Sequence, residues 1–140
     1  MGSNPEITYA LEPHMSTADF IDVLRRSTLA ERRPVDDPDR IARMLAATDL
    51  LVAARQGGML VGVARSITDW NYTCYLSDLA VDQAYQGHGI GRALIARTHL
   101  EAGPQTMLLL IAAPGAQTYY PHIGMQRHEH AFVLPRPATC

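Results

Sequence analysis

Apolar positions in this chain recur at two spacings, and the order in which those spacings alternate lays out its elements. Ile7 to Leu11 alternates weakly, as a first strand would. Ser16, followed three residues on by Asp19, forms an N-cap pair, and Phe20, Val23, Leu24 and Ser27 then mark one helical face, so a helix is expected from about Thr17 to Leu29. Residues 30–36 are charged and turn-like. Asp37-Pro38 then offers a cap with proline at the first helical position, and Ile41, Met44, Leu45 and Thr48 follow at helical spacing. Leu50 to Arg55 and Met59 to Ser66 are apolar runs around Gln56-Gly57-Gly58, which predicts an antiparallel hairpin. After a polar connection from Thr68 to Asn71, Thr73 to Val81 continues the meander. A glycine-rich stretch opens a helix to about Ala102, stopped by Gly103-Pro104. Thr106 to Ala112 is a continuous apolar run, as expected of a strand buried on both faces. A further helix is expected from Pro114 or Gly115 to Ile123-Gly124, and His130 to Leu134 reads as a closing strand. The pattern predicts an α/β fold with a mixed sheet, in one domain over residues 1–140.

Composition narrows the function classes. The 140 residues are 47% hydrophobic and 19% charged, and no apolar run is long enough to span a membrane. Met1-Gly2-Ser3-Asn4-Pro5 has no basic region leading into an apolar core, so a cytoplasmic location is expected. A net charge of −2 supplies no basic face for nucleic acid. Every basic residue is arginine; with no lysine, a Walker-type phosphate loop is excluded. Cys74 and Cys140 form neither a disulfide framework nor a metal site by spacing, and Cys74 is expected as a buried thiol in a strand. His128 and His130, two residues apart, would share one face of a strand, but no third ligand is evident, and no metal is expected.

The chemistry lies in Gln86-Gly87-His88-Gly89-Ile90-Gly91-Arg92. Glycine lets backbone approach a ligand closely and adopt positive φ. Where such a loop opens a helix, several unpaired N–H groups and the positive end of the helix dipole converge, which suits phosphate. The spacing differs from the dinucleotide fingerprint, because the third glycine comes one residue early and no acid stands near position 110. Gln86, Gly89 and Gly91 instead form Q-x-x-G-x-G. With the apolar strand Leu76 to Val81 before it and Tyr119-Tyr120-Pro121-His122-Ile123-Gly124-Met125 after it, this pattern resembles the GNAT superfamily of N-acetyltransferases.

That resemblance implies a mixed, mostly antiparallel central sheet flanked by about four helices, with acetyl-CoA as co-substrate. It implies that the amides of Gln86, Gly87, His88, Gly89, Ile90 and Gly91 bind the cofactor pyrophosphate, with Arg92 in reach of a phosphate. The strand around Leu79, Ala80 and Val81 would pair through its backbone with the pantetheine arm and polarise the thioester carbonyl. Tyr120 stands where the family commonly has its general acid; a phenol of pKa about 10 protonates a thiolate of about 8.5 at a cost of roughly 2 kcal/mol. Many relatives carry an acidic base one position before Asp78, where this chain has Ser77. Asp78 is the candidate base, yet strict alternation places Tyr75, Ser77, Leu79 and Val81 on one face and Asp78 on the other unless a bulge turns it; a water relay held by Tyr75 or Ser77 is the alternative. Arg32-Arg33 and Asp36-Asp37 lie where the family shapes its acceptor pocket, and read as solvated charge. The implied acceptor is an amine of a small molecule or peptide, and a homodimer is common in the family. The absent acid at Ser77 keeps open a second function, an idle acyl-CoA-binding sensor.

Overall fold

The computed structural model describes residues 6–137, so Cys140 and the Met1 to Pro5 segment lie outside the described residues. The chain forms two compact units, Met1–Leu110 and Ile111–Cys140. In the first, β1 (Ile7–Leu11), β2 (Leu50–Gln56), β3 (Met59–Thr68) and β4 (Thr73–Val81) pair antiparallel in sequence order, and β5 (Met107–Leu109) adds parallel to β4. Helices α1 (Thr17–Ser27) and α2 (Pro38–Ala46) cover one face; α3 (Ile90–Ala102) covers the other. Ser16 and Asp37 cap α1 and α2 through their side chains, as their sequence positions predict. No helix among the described residues is long and apolar enough to cross a membrane.

Two cores result. Phe20, Val23 and Leu24 of α1 and Ile41 of α2 pack on Leu51, Ala53, Leu60 and Val63. On the opposite side Ile90 and Leu94 of α3 pack on Val52, Ala54, Val61, Ala64 and Leu76. Adjacent residues Leu60 and Val61 belong to opposite cores, but Val61 and Ala64 share one. The reason is a register shift: Ala54 faces Gly62 and Arg55 faces Leu60, which leaves Val61 as an extra residue.

Two expectations near the end of the sheet change. The strand predicted over residues 106–112 shrinks to Met107–Leu109, and it is not buried on both faces, since Met107 is 54% exposed. As the outermost strand of the sheet it has only β4 to pair with.

In the second unit, the helix expected from Pro114 to Ile123 is replaced by a 3-10 turn, Pro114–Ala116, and a four-residue α4 (Tyr119–His122). Pro121 has no N–H to continue a helix from upstream, so a helical turn holding it must begin close before it. Gly124, at φ +99°, closes α4 and donates to the Pro121 carbonyl at 3.1 Å. The closing strand expected at His130 to Leu134 does not form, and Phe132 and Leu134 are 92% and 98% exposed. Strand character requires a paired neighbour, which the apolar pattern alone does not supply.

Gly62 marks the tightest junction between β3 and α3. A Cβ there would lie 3.1 Å from a Leu94 methyl, 3.2 Å from the Ala80 carbonyl and 3.3 Å from an Ile90 methyl. Gly62→Val is therefore expected to lower stability by about 1–3 kcal/mol through overpacking, read as a lower urea midpoint at unchanged m-value.

Candidate active site

The strand that leads into the glycine loop carries an irregularity that sets the site. Arg65 faces Asp78 and Ser66 faces Leu76, so Ser77 is an extra residue bulged out of β4. The bulge reverses the strand's faces. Cys74 and Leu76 before it and Leu79 and Val81 after it all pack with the α3 core, while Asp78 and Ala80 turn to the side of α1 and α2. This corrects the strict alternation expected from period two, in which Tyr75 and Ser77 would share a face with Leu79 and Val81.

Asp78 is fully buried, with 0% exposure, and both its oxygens are held by guanidinium groups. Arg33 Nε donates to Oδ1 and Arg65 Nε donates to Oδ2. Arg33 Nη2 also donates to the Ser77 carbonyl at 2.7 Å, and Arg65 Nη2 donates to the Ser77 hydroxyl at 3.2 Å. Arg65 Nη1 continues to the Met44 carbonyl and the Thr48 hydroxyl, at 3.3 and 3.2 Å. A carboxylate so enclosed holds the bulge and ties β4 to α2. Its arrangement is that of a structural ion pair, with no face open to an incoming amine.

The same strand exposes backbone on its other edge. Asp82 N–H donates to the Val61 carbonyl at 2.8 Å, and in an antiparallel ladder bonded pairs recur at every second residue. Ala80, opposite Val63, therefore directs its backbone groups to β3, and its side chain is buried in the α1–α2 core. Leu79 and Val81 direct theirs to the opposite edge. The ladder to β5 ends at Tyr75 and Leu109, so these residues lie beyond its last pair. Of the cofactor-binding trio expected on this strand, Leu79 and Val81 present free-edge backbone, whereas Ala80 does not.

Beyond Val81 the chain is held before it turns. Asp82 caps a 3-10 turn through the Ala84 N–H at 2.8 Å and pairs with Arg26 of α1 at 2.6 Å. The Tyr85 hydroxyl bonds Gln56 at 2.7 Å, and the Gln86 amide folds back to the Val81 carbonyl at 3.1 Å. Gly87 and Gly89 then take φ of +84° and +80° on either side of exposed His88, a backbone path that a Cβ would strain. Gly89 is the N-cap of α3 and supplies no capping side chain. The first N–H to find an intrahelical partner is that of Ala93, at 3.0 Å from the Gly89 carbonyl. The amides of Ile90, Gly91 and Arg92 precede it and are the orphan donors of the first turn. Ile90 and Gly91 are buried, and Arg92 is exposed.

In the second unit, Tyr120 is half-buried in α4, its ring 5.1 Å from that of Tyr119 in an edge-on arrangement. Burial, with a smaller effect from Tyr119, raises its phenol above the usual tyrosine range. The His128 and His130 rings meet edge-on at 6.0 Å, and the His130 N–H donates to His128 Nδ1 at 3.1 Å. Among the described residues no three His, Cys, Asp or Glu side chains are grouped to hold a metal. Cys74 is buried, and its burial raises the thiol above its ordinary value, which leaves it protonated packing.

Arg65 had no signal in the sequence, and Arg33 had only its place in the region where the family shapes its acceptor pocket. Arg33 sits in a charged run that looks solvated, and Arg65 in an apolar strand; only pairing across the sheet reveals the carboxylate between them.

Residues 28–133 match the family described as "Acetyltransferase (GNAT) domain". Solved structures are similar across almost the whole chain. An aminoglycoside acetyltransferase from an uncultured soil metagenomic sample, in complex with sisomicin, is 18% identical with a TM-score of 0.71, over 94% of this chain and 95% of that one. An aminoglycoside N-acetyltransferase in complex with CoA is 14% identical with a TM-score of 0.74, over 97% and 98%. A GNAT-family acetyltransferase from Streptococcus pneumoniae TIGR4 is 17% identical with a TM-score of 0.68, over 95% and 99%. No curated protein matches in sequence.

Removing one partner from a buried ion pair leaves charge uncompensated, at a cost of about 3–5 kcal/mol. Asp78→Asn should lower the urea midpoint by a corresponding amount. A variant of unchanged midpoint that had lost only turnover would instead make Asp78 a base.

Proposed function

Because the chain belongs to the GNAT acetyltransferase family, we propose that it transfers the acetyl group of acetyl-CoA to a primary amine of a small molecule or peptide. The amine attacks the thioester directly in a ternary complex. The observation that carries this reading is the uncapped start of α3 behind Gly87 and Gly89, in line with a β4 edge whose Leu79 and Val81 backbone is turned away from β3. In this proposal the orphan amides of the loop and first helical turn hold the pyrophosphate, with Arg92 beside it. Leu79 and Val81 pair with the pantetheine amides, and a backbone N–H of this edge polarises the thioester carbonyl. The family match runs from the first unit into the second, which supports treating the two as one domain.

In the reaction a C–N bond forms as the C–S bond breaks, the amine loses a proton and the thiolate gains one. We assign the second proton to Tyr120. A raised phenol pKa keeps that proton in place throughout the neutral range. Before attack an ammonium of pKa about 10.4 must give up one proton, at a cost of about 4–5 kcal/mol near pH 7, and the nitrogen releases another as the amide forms. Asp78 is enclosed by Arg33 and Arg65, which favours a water relay past the Tyr75 hydroxyl over direct abstraction by the carboxylate. The same enclosure gives weight to a second reading, a domain that binds acetyl-CoA without turning it over.

A thiol-release assay over amines, polyamines, amino acids, aminoglycosides and peptides tests the proposal. CoA release with any of them supports it; calorimetric binding of acetyl-CoA with no release across the panel selects the second reading. Tyr120→Phe should lower turnover by about 10²-fold with acetyl-CoA affinity retained. The sign of its pH effect follows from the raised pKa: the wild type keeps its proton donor to pH above about 10 and loses activity only beyond that, and the variant lacks this alkaline limb. Gly89→Val forces a branched side chain into positive φ at about 1–2 kcal/mol, and should weaken acetyl-CoA binding about tenfold by calorimetry.

A further inference from the structure

Arg33 belongs to the connection between α1 and α2, yet its side chain ends on β4. The connection starts at Thr28, with φ +72°, passes through a 3-10 turn at Leu29–Arg32 and reaches Asp37. Its backbone hydrogen bonds are local: Arg33 to Ala30, Val35 to Arg33 and Asp37 to Pro34. Among the described residues, both hydrogen bonds that tie it to the sheet come from Arg33, to the Asp78 carboxylate and to the Ser77 carbonyl. A third donor of the same guanidinium, Nη1, returns to the Arg32 carbonyl at 2.8 Å and so holds the connection's own backbone against the fork.

The two acceptors on β4 are neighbours in the bulge. The Ser77 carbonyl is the group displaced when an extra residue enters a ladder, and a displaced carbonyl needs a new donor. Arg33 supplies it, while Arg65 holds the Ser77 hydroxyl from the opposite side. Leu79, the residue that follows this pair, turns its backbone to the free edge. One of the two guanidinium groups that hold the bulge ahead of that edge thus comes from a connection with no other hydrogen bond to the sheet among the described residues.

We propose that Arg33 is a positioning residue that couples the α1–α2 connection to the reacting edge of β4, so that the aim of the Leu79 backbone at the thioester depends on its guanidinium as well as on that of Arg65. This rests on the acetyltransferase reading above. A lysine cannot replace it, because a single ammonium lacks the planar fork that reaches a carboxylate and a carbonyl together. The phosphate-binding loop has its own supports, in Asp82, Tyr85 and Gln86, and is independent of Arg33.

The test compares Arg33→Lys, which keeps the charge, with Arg33→Met, which keeps the stem. For the amine giving the fastest CoA release, both should lower kcat/KM by about tenfold or more, chiefly through kcat, with the acetyl-CoA Kd held within about twofold. Added guanidinium ion should restore part of the lost rate to Arg33→Met. Unchanged amine kinetics, or an acetyl-CoA Kd that weakens in step with them, would overturn the inference. If the wild type releases no CoA with any amine, the proposed function fails, and amide hydrogen exchange of the intact chain decides the coupling alone. Loss of protection at Asp78 and Ala80, whose amides face β3, together with residues 29–37 in both variants supports it; loss confined to residues 29–37 overturns it.

Discussion

A carboxylate with no access to water must be matched by its surroundings, and in this protein the surroundings of Asp78 come from three separate parts of the chain. Arg65 lies across the ladder on β3, Arg33 arrives from the α1–α2 connection, and the Met44 carbonyl and Thr48 hydroxyl at the end of α2 take up further donors of Arg65. Removing any one of these partners would leave charge or a polar group unpaired in an apolar layer. This requirement holds Ser77 out of register. Once Ser77 is bulged, the faces of β4 exchange, and Leu79 and Val81 pack with α3 in place of α1 and α2.

The exchange of faces matters because the edge of β4 beyond Tyr75 has no β5 residue paired with it. A strand with one free edge is normally a hazard, a template for unwanted pairing. Here the free edge is short, leads straight into the glycine loop, and has one of its carbonyls, that of Val81, covered by Gln86. The loop divides the remaining labour in the same way. Gln86 and Tyr85 are committed to structure through their side chains, whereas the amides of Ile90, Gly91 and Arg92 after them have no intrahelical partner. α1 and α2 satisfy their first amides with Ser16 and Asp37, whereas α3 begins on a glycine with nothing to offer. A helix start left open in this way suits a phosphate that brings its own acceptor oxygens.

Local signals carried through wherever local physics sufficed. The caps at Ser16 and Asp37, the Gly57-Gly58 turn and the helical spacing of Phe20, Val23 and Leu24 all lie within one or two turns of what they control, so they were legible without tertiary information. The elements that differ are those that need a distant partner. Residues 106–112 and 130–134 have the composition of strands, but only Met107–Leu109 has a ladder to join. The helix expected from Pro114 or Gly115 was limited by Pro121, which has no N–H to continue a helix arriving from upstream.

The sequence by itself carried the family, the order of elements as far as α3 and the glycine loop that opens that helix, because glycine spacing, capping and apolar period act over a few residues. Tertiary structure alone decided that Asp78 is enclosed by two guanidinium groups, which residues of β4 turn to the free edge, and that Arg33 reaches that strand. Those facts depend on register between strands and on a charge arriving 45 residues away along the chain. A one-residue shift reverses every side chain that follows it, and nothing in the spacing of Tyr75 to Val81 announces that shift. It becomes visible only when Arg65 is seen opposite Asp78.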